Sequence, residues 1–161
     1  MSNMDILNHK QIEIKIQRMA CEIAECYAHE KELMLCGLNE RGYYLAKKLN
    51  KEILKFSSSI KTSLIQVNTI DELSFKPSTS FTKKNVLLVD DVINSGRTLM
   101  DVLEPVFKDK PVSIRTAFLA KREHRSFPVK ADFVGISLAT TLKEHVFFDN
   151  SNTKKLKVYL K

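Results

Sequence analysis

Apolar residues recur along this chain in two distinct rhythms, and their alternation predicts the architecture. Asn8 can cap a first helix, with Gln11 placed to reach back. Ile12, Ile16, Met19, Ala20, Ile23 and Tyr27 then follow at helical spacing. Leu33 to Cys36 is a short all-apolar run, as expected of a buried parallel strand. After a loop from Gly37 to Gly42, Leu45, Leu49, Ile53 and Phe56 mark one face of a second helix. Ile60 to Val67 reads as a strand, and the polar stretch from Asp71 to Lys84, broken by Pro77, reads as a loop or a ragged extension. Val86 to Val89 is the clearest buried strand. The turn from Asp90 to Gly96 leads into a third helix, in which Pro105 should mark an end or a kink. Ser113–Ala120, Ala131–Ser137, His145–Phe148 and Leu156–Leu160 read as further strands. Strands alternating with helices predict an α/β fold: a mainly parallel sheet flanked by helices. In such sheets ligands bind beyond the carboxyl ends of the strands, where strand order reverses.

Composition narrows this without redirecting it. The 161 residues suit one domain spanning 1–161, and 43% hydrophobic with 28% charged residues is the balance of a soluble globular chain. No apolar run approaches a membrane span, and Met1 to Lys10 lacks the layout of a signal peptide, so a cytoplasmic location is expected. Cys21, Cys26 and Cys36 lack metal-ligand spacing and are expected to be buried, reduced thiols. The net charge of +7 is unevenly placed: Lys108 to Lys130 holds seven cations against two acids, and Asn150 to Lys161 holds four lysines and no acid. Such a basic half suits an anionic partner, either a phosphate-rich small molecule or nucleic acid. Three of the four glycines, Gly37, Gly42 and Gly96, fall in the two loops that follow strands.

Val86 to Thr98 carries the chemistry. An apolar strand delivers Asp90 and Asp91 to a crevice; Val92 and Ile93 follow, then Asn94, Ser95, Gly96, Arg97 and Thr98 open a helix. Free backbone N–H groups and the helix dipole favour an anion there, and hydroxyls and a glycine allow close approach. Vicinal sugar hydroxyls suit the paired carboxylates. A 5-phosphorylated ribose would satisfy both halves.

This segment resembles the phosphoribosyl pyrophosphate (PRPP) signature of type I phosphoribosyltransferases. The resemblance implies that Asp90 and Asp91 hold the ribose hydroxyls while Asn94 to Thr98 wrap the 5-phosphate. Gly37-Leu38-Asn39-Glu40-Arg41-Gly42 resembles the pyrophosphate loop of the same family, implying that Asn39, Glu40, Arg41 and Gly42 bind PRPP and that Arg41 contacts the leaving group. Arg41, Asp90 and Asp91 are thus the candidate catalytic residues. Nearly the whole chain is similar to the bifunctional pyrimidine-operon attenuation regulators with uracil phosphoribosyltransferase activity, most clearly at Arg41 to Ala46 and at His124 to Gly135. Asn94 is in keeping with this, since purine enzymes usually carry a carboxylate there. The resemblance implies a shortened flexible hood between Leu73 and Val86, Mg²⁺ bound mainly through PRPP, a nucleobase as second substrate, and a homodimer or larger homo-oligomer. RNA is a candidate partner through Lys121, Arg122, His124, Arg125 and Lys130. The chain departs from the family at Glu40, where a threonine is usual, and at Ile70, where an arginine is usual. Lys76, Lys83 and Lys84 are candidates to compensate for the short hood.

Overall fold

The computed structural model describes residues 3–70, 74–76, 79–140 and 144–161, with Lys76 described by its backbone alone. Asp71, Glu72, Leu73 and Pro77 therefore lie outside the described residues. The elements run β1 (Met4–Leu7), α1 (His9–Cys26), β2 (Glu32–Leu38), α2 (Asn39–Phe56), β3 (Lys61–Asn68), β4 (Ser74–Lys76), β5 (Asn85–Ile93), α3 (Arg97–Lys108), β6 (Ser113–Arg122), β7 (Phe133–Leu138), β8 (Val146–Asp149) and β9 (Lys157–Leu160).

Among the described residues two sheets form. The larger has the order β4-β3-β2-β5-β6-β7, parallel except for β4, which pairs antiparallel with β3. Chain order reverses at β2: β3 lies on one side of it and β5 on the other. The crevice expected of a doubly wound sheet therefore opens at the carboxyl ends of β2 and β5.

Alternation along the strands separates two apolar cores. Leu33 and Leu35 of β2, with Leu87 and Val89 of β5, face the side covered by α1 and α2. Met34, Cys36, Val86 and Leu88 face the side covered by α3. Helix α1 begins with the reciprocal bonds foreseen for Asn8 and Gln11, at 3.0 and 2.9 Å. Its Arg18 Nη2 donates to the carbonyls of Val134 and Gly135 at 3.0 and 2.7 Å, which blunts the open edge at β7.

Several expectations from the sequence are corrected. The Gly37–Gly42 loop is nearly absent, because β2 runs to Leu38 and α2 begins at Asn39. Strand β5 continues through both aspartates to Ile93, still paired with β6 at Asp90↔Phe118 and Ile93↔Lys121. Pro105 does not end α3, which continues to Lys108. An interior proline costs about 3 kcal/mol; burying Leu99, Val102 and Val106 at roughly 1.5–3 kcal/mol each offsets it. Only Cys36 is buried. Cys21 and Cys26 lie on exposed positions of α1, off the stripe of Ile16, Met19 and Ile23. Phe56, the last residue of α2, is 54% exposed rather than buried with Leu45, Leu49 and Ile53.

The second sheet, β1-β9-β8, is antiparallel and joins the two ends of the chain. Leu7, Phe148, Leu156 and Val158 pack it into the core beside α1 and α2. No helix among the described residues is long and apolar enough to cross a membrane.

Candidate active site

Two glycines bring α2 down onto the sheet. A Cβ on Gly37 would stand 2.2 Å from the Cα of Tyr43, and one on Gly42 would stand 2.6 Å from the carbonyl oxygen of Val89. The first turn of α2 thus rests on the ends of β2 and β5, beside Asp90, and carries Asn39, Glu40 and Arg41 to the crevice. Asn39 has a left-handed φ of 57°. Its carboxamide fixes this turn by clamping Thr69 beyond β3: Oδ1 accepts from the Thr69 N–H at 2.9 Å and Nδ2 donates to Thr69 Oγ1 at 2.8 Å. Asn39→Ala should lose both bonds and leave a Cβ-bearing residue with no local partner for its strained backbone. A destabilisation of about 1–2 kcal/mol is expected by denaturant unfolding, with Asn39→Gly losing less because it keeps the backbone conformation.

The resulting cleft measures about 920 Å³ and is lined by Leu38, Asn39, Glu40 and Arg41 from one side, Gln66, Asn68, Ile70 and Ser74 from another, and Asp90, Asp91 and Thr98 from the floor. A second hollow of about 90 Å³ adjoins it, formed by Val92 to Leu99 with Asp90 and Phe118, so that Asp90 and Thr98 belong to both. The two hollows differ in character. The larger holds the paired acids. The smaller is the turn Asn94–Ser95–Gly96 and the start of α3, a natural anion cup.

The cup is held from behind. Gly96, at φ 86°, occupies the N-cap position of α3. A Cβ there would meet Val129 Cγ2 at 2.6 Å. The Ser95 carbonyl accepts N–H bonds from Ser126 and Phe127, both at 3.1 Å, and Ser95 Oγ accepts from the Arg97 N–H at 3.2 Å. Arg97 lies over the Phe127 ring at 5.6 Å. Ser126 to Val129 therefore serves the site as its backing. Asn94 Oδ1 is buried and accepts no hydrogen bond from the described residues. An orphaned acceptor of this kind calls for a donor from a ligand or water.

Electrostatics set the acids apart. Asp90 Oδ1 accepts the Asp91 N–H at 2.8 Å. Burial, and then the neighbouring charge of Asp91, nevertheless push the Asp90 carboxyl well above the ordinary aspartate range, with Arg41 acting weakly in the opposite direction. Because the folded pKa is raised, the unliganded fold loses stability as pH climbs from the ordinary aspartate value through the raised one. Melting curves should therefore show Asp90→Asn overtaking the wild-type protein in stability across that window. Asp149, at the end of β8, was not foreseen as a neighbour of the site. Hydrogen bonding from Ser151 holds its carboxyl below the usual range, and the Arg41 charge draws it lower still.

The remaining candidates lie elsewhere. Arg122 is buried, with Nε donating to Thr140 Oγ1 at 2.8 Å, because β6 extends through it. Lys121 pairs with Glu123 at 3.7 Å and Lys130 with Asp132 at 3.2 Å; His124 is exposed, and Arg125 donates to the Arg122 carbonyl at 3.2 Å. The five do not form one solvent-facing cluster. Lys84 pairs with Glu32 at 2.8 Å, beside Lys61 and the start of β5. Lys83 and Lys84 thus sit at the amino ends of the strands, and at about 3.3 Å per residue β5 separates them from the aspartates. They cannot close over the cleft.

Among the described residues no three or more His, Cys, Asp or Glu side chains are grouped to hold a metal ion. Asp90 and Asp91 could supply carboxylate oxygens to a Mg²⁺ ion whose other ligands come from a bound phosphate ester and water, the usual manner of that ion.

Comparison with known proteins agrees with this geometry. Residues 2–149 match the phosphoribosyl transferase domain. The chain is 32% identical over 170 residues to the bifunctional protein PyrR of Macrococcus caseolyticus, covering 97% of each. It is 35% identical over 159 residues to bifunctional protein PyrR of Listeria monocytogenes, covering 88% of this chain and 86% of that one. The hypoxanthine phosphoribosyltransferase of Trypanosoma cruzi superposes with a TM-score of 0.77 at 19% identity, covering 96% and 95% of the two chains. A hypoxanthine-guanine phosphoribosyltransferase of Bacillus anthracis gives 0.70 at 23% identity, covering 85% and 83%. Sheet order, paired acids, anion cup and these likenesses lead to one assignment: the chain belongs to the phosphoribosyl transferase domain family and is a phosphoribosyltransferase.

Proposed function

We propose that this chain transfers the phosphoribosyl group of PRPP to a nucleobase, uracil foremost, releasing pyrophosphate in the cytoplasm. The observation that carries the reading is the shared boundary of the two hollows: Asp90 and Thr98 line both, so one ligand can place its sugar on the acids and its 5-phosphate in the cup. The name of the relatives, bifunctional protein PyrR, points to the pyrimidine branch of the family. Asn94 agrees, because an amide at that position offers no carboxylate base to a purine.

In the reaction the bond from ribose C1 to the pyrophosphate oxygen breaks, its electron pair leaving with pyrophosphate. A nucleobase nitrogen then bonds to C1 and releases its proton to solvent water. Positive charge develops at C1 in between. Little covalent work falls to the protein, and positioning and electrostatics dominate. Asp90 and Asp91 orient the ribose through its hydroxyls. Arg41, on the wall of the cleft, neutralises charge on the leaving group. A magnesium ion carried by the pyrophosphate would add to that neutralisation.

The test is a transfer assay with PRPP, Mg²⁺ and a panel of nucleobases. Formation of uridine 5′-monophosphate above the other products is the expected result. Turnover of a purine base with none of uracil would reject the pyrimidine assignment, and no turnover of any base would reject the transfer.

A further inference from the structure

The charge lining the cleft is at odds with the most anionic part of its proposed ligand. Among the described side chains that line the larger hollow, Arg41 is the only cation, and it stands against Glu40, Asp90 and Asp91. Arg41 is also shared, since its charge acts on Asp149 as well as on Asp90. Glu40 is exposed at the first turn of α2, and no cation pairs with it among the described residues. The turn that carries it is fixed by the Asn39–Thr69 clamp and by the seat of Gly42 on β5, so Glu40 stays at the rim of the cleft. Across the cleft Ile70, 70% exposed, offers no charge. The anion cup contrasts with this: Arg97 is its cation, and Glu40 is not among its walls.

We infer that Glu40 determines ligand preference in this cleft, disfavouring the pyrophosphate of PRPP and leaving a nucleoside 5′-monophosphate as the tighter ligand. The inference rests on the phosphoribosyl reading of the site. Its physical basis is that both ligands share the sugar and the 5-phosphate, while only PRPP brings a polyphosphate beside Glu40. Like charges at close range in a half-enclosed cleft repel strongly. A divalent cation between them would relieve part of the repulsion, so the preference should be greatest in chelator. The consequence is a site better suited to retaining the mononucleotide than to admitting fresh PRPP.

Calorimetric titration of uridine 5′-monophosphate and of PRPP into wild type and Glu40→Gln tests this, each in EDTA and again in saturating Mg²⁺. Glu40 is exposed, and the loss of its charge from the first turn of α2 should lower the melting temperature of the variant by no more than a few degrees. In EDTA the wild type should bind the monophosphate at least tenfold more tightly than PRPP. Glu40→Gln should narrow that ratio about tenfold, entirely through PRPP, with the monophosphate changed less than twofold. Mg²⁺ should narrow it in the wild type more than in the variant. A ratio unmoved by Glu40→Gln, with both ligands bound, would overturn the role of Glu40 and leave the phosphoribosyl site standing. If neither ligand binds either protein in any condition, the phosphoribosyl reading itself fails and this inference falls with it.

Discussion

Replacing Asp90 and Asp91 together with asparagine is expected to abolish the thermal stabilisation that PRPP with Mg²⁺ gives the wild-type protein, while raising the melting temperature of the unliganded protein at neutral pH by a few degrees. Both effects have one cause. The acids are held close together at the end of β5, with burial and mutual repulsion opposing ionisation of Asp90. In the absence of ligand that arrangement is a cost, and neutral amides of the same shape remove it. When ribose hydroxyls arrive, carboxylates accept their hydrogen bonds far better than amides do. Transfer should fall by about a hundredfold or more, since oriented binding supplies much of the rate in this chemistry. Differential scanning fluorimetry with and without ligand reads both halves of the expectation. A double variant that is less stable than the wild type, yet still shifts with PRPP, would show that the acids are structural.

Gly37→Ala should be the most damaging single methyl group in the molecule. The added Cβ would stand 2.2 Å from Tyr43 Cα and 2.5 Å from Tyr43 N, and neither backbone atom can turn aside as a side-chain tip could. Helix α2 would have to lift from β2, withdrawing Leu45, Ala46 and Leu49 from a core in which each is fully buried. Overpacking of this kind costs about 3 kcal/mol or more, a fall in melting temperature of roughly 6–12 °C for a chain of this length. Lifting α2 also carries Arg41 off the cleft, so PRPP affinity should drop in whatever protein still folds. A variant that melts with the wild type would mean that α2 is not seated as described.

How much of this was legible in the sequence depended on how local the determinants are. Val86 to Thr98 could be read in outline, because strand, acids and helix start are contiguous and each is dictated by residues within a few positions, although the strand runs on to Ile93 where a turn from Asp90 was expected. The helix cap at Asn8 and Gln11 was legible for the same reason. Of the small sheet, β8 and β9 were legible as strands, but β1 and the pairing were not: Met4↔Leu160 joins opposite ends of the chain, and Met4–Leu7 is too short to announce a strand. Gln66 and Asn68 were missed as cleft walls, although the rule that ligands gather at carboxyl ends of strands already pointed to the end of β3. Arg122 illustrates the converse error. Grouped by sequence with surface cations, it is drawn inside by the extension of β6 past Ala120, and Thr140 receives its Nε–H. Asp149 could not be placed near Arg41 without knowing that β8 brings Phe148 against Tyr44 of α2.

The most direct trial of the central claim is a crystal structure of the chain soaked with uridine 5′-monophosphate. The phosphate should lie against the N–H groups of Ser95 to Thr98, with the ribose hydroxyls on the carboxylates of Asp90 and Asp91. A nucleotide seated elsewhere, with its phosphate outside that turn and the two aspartates untouched, would contradict the account.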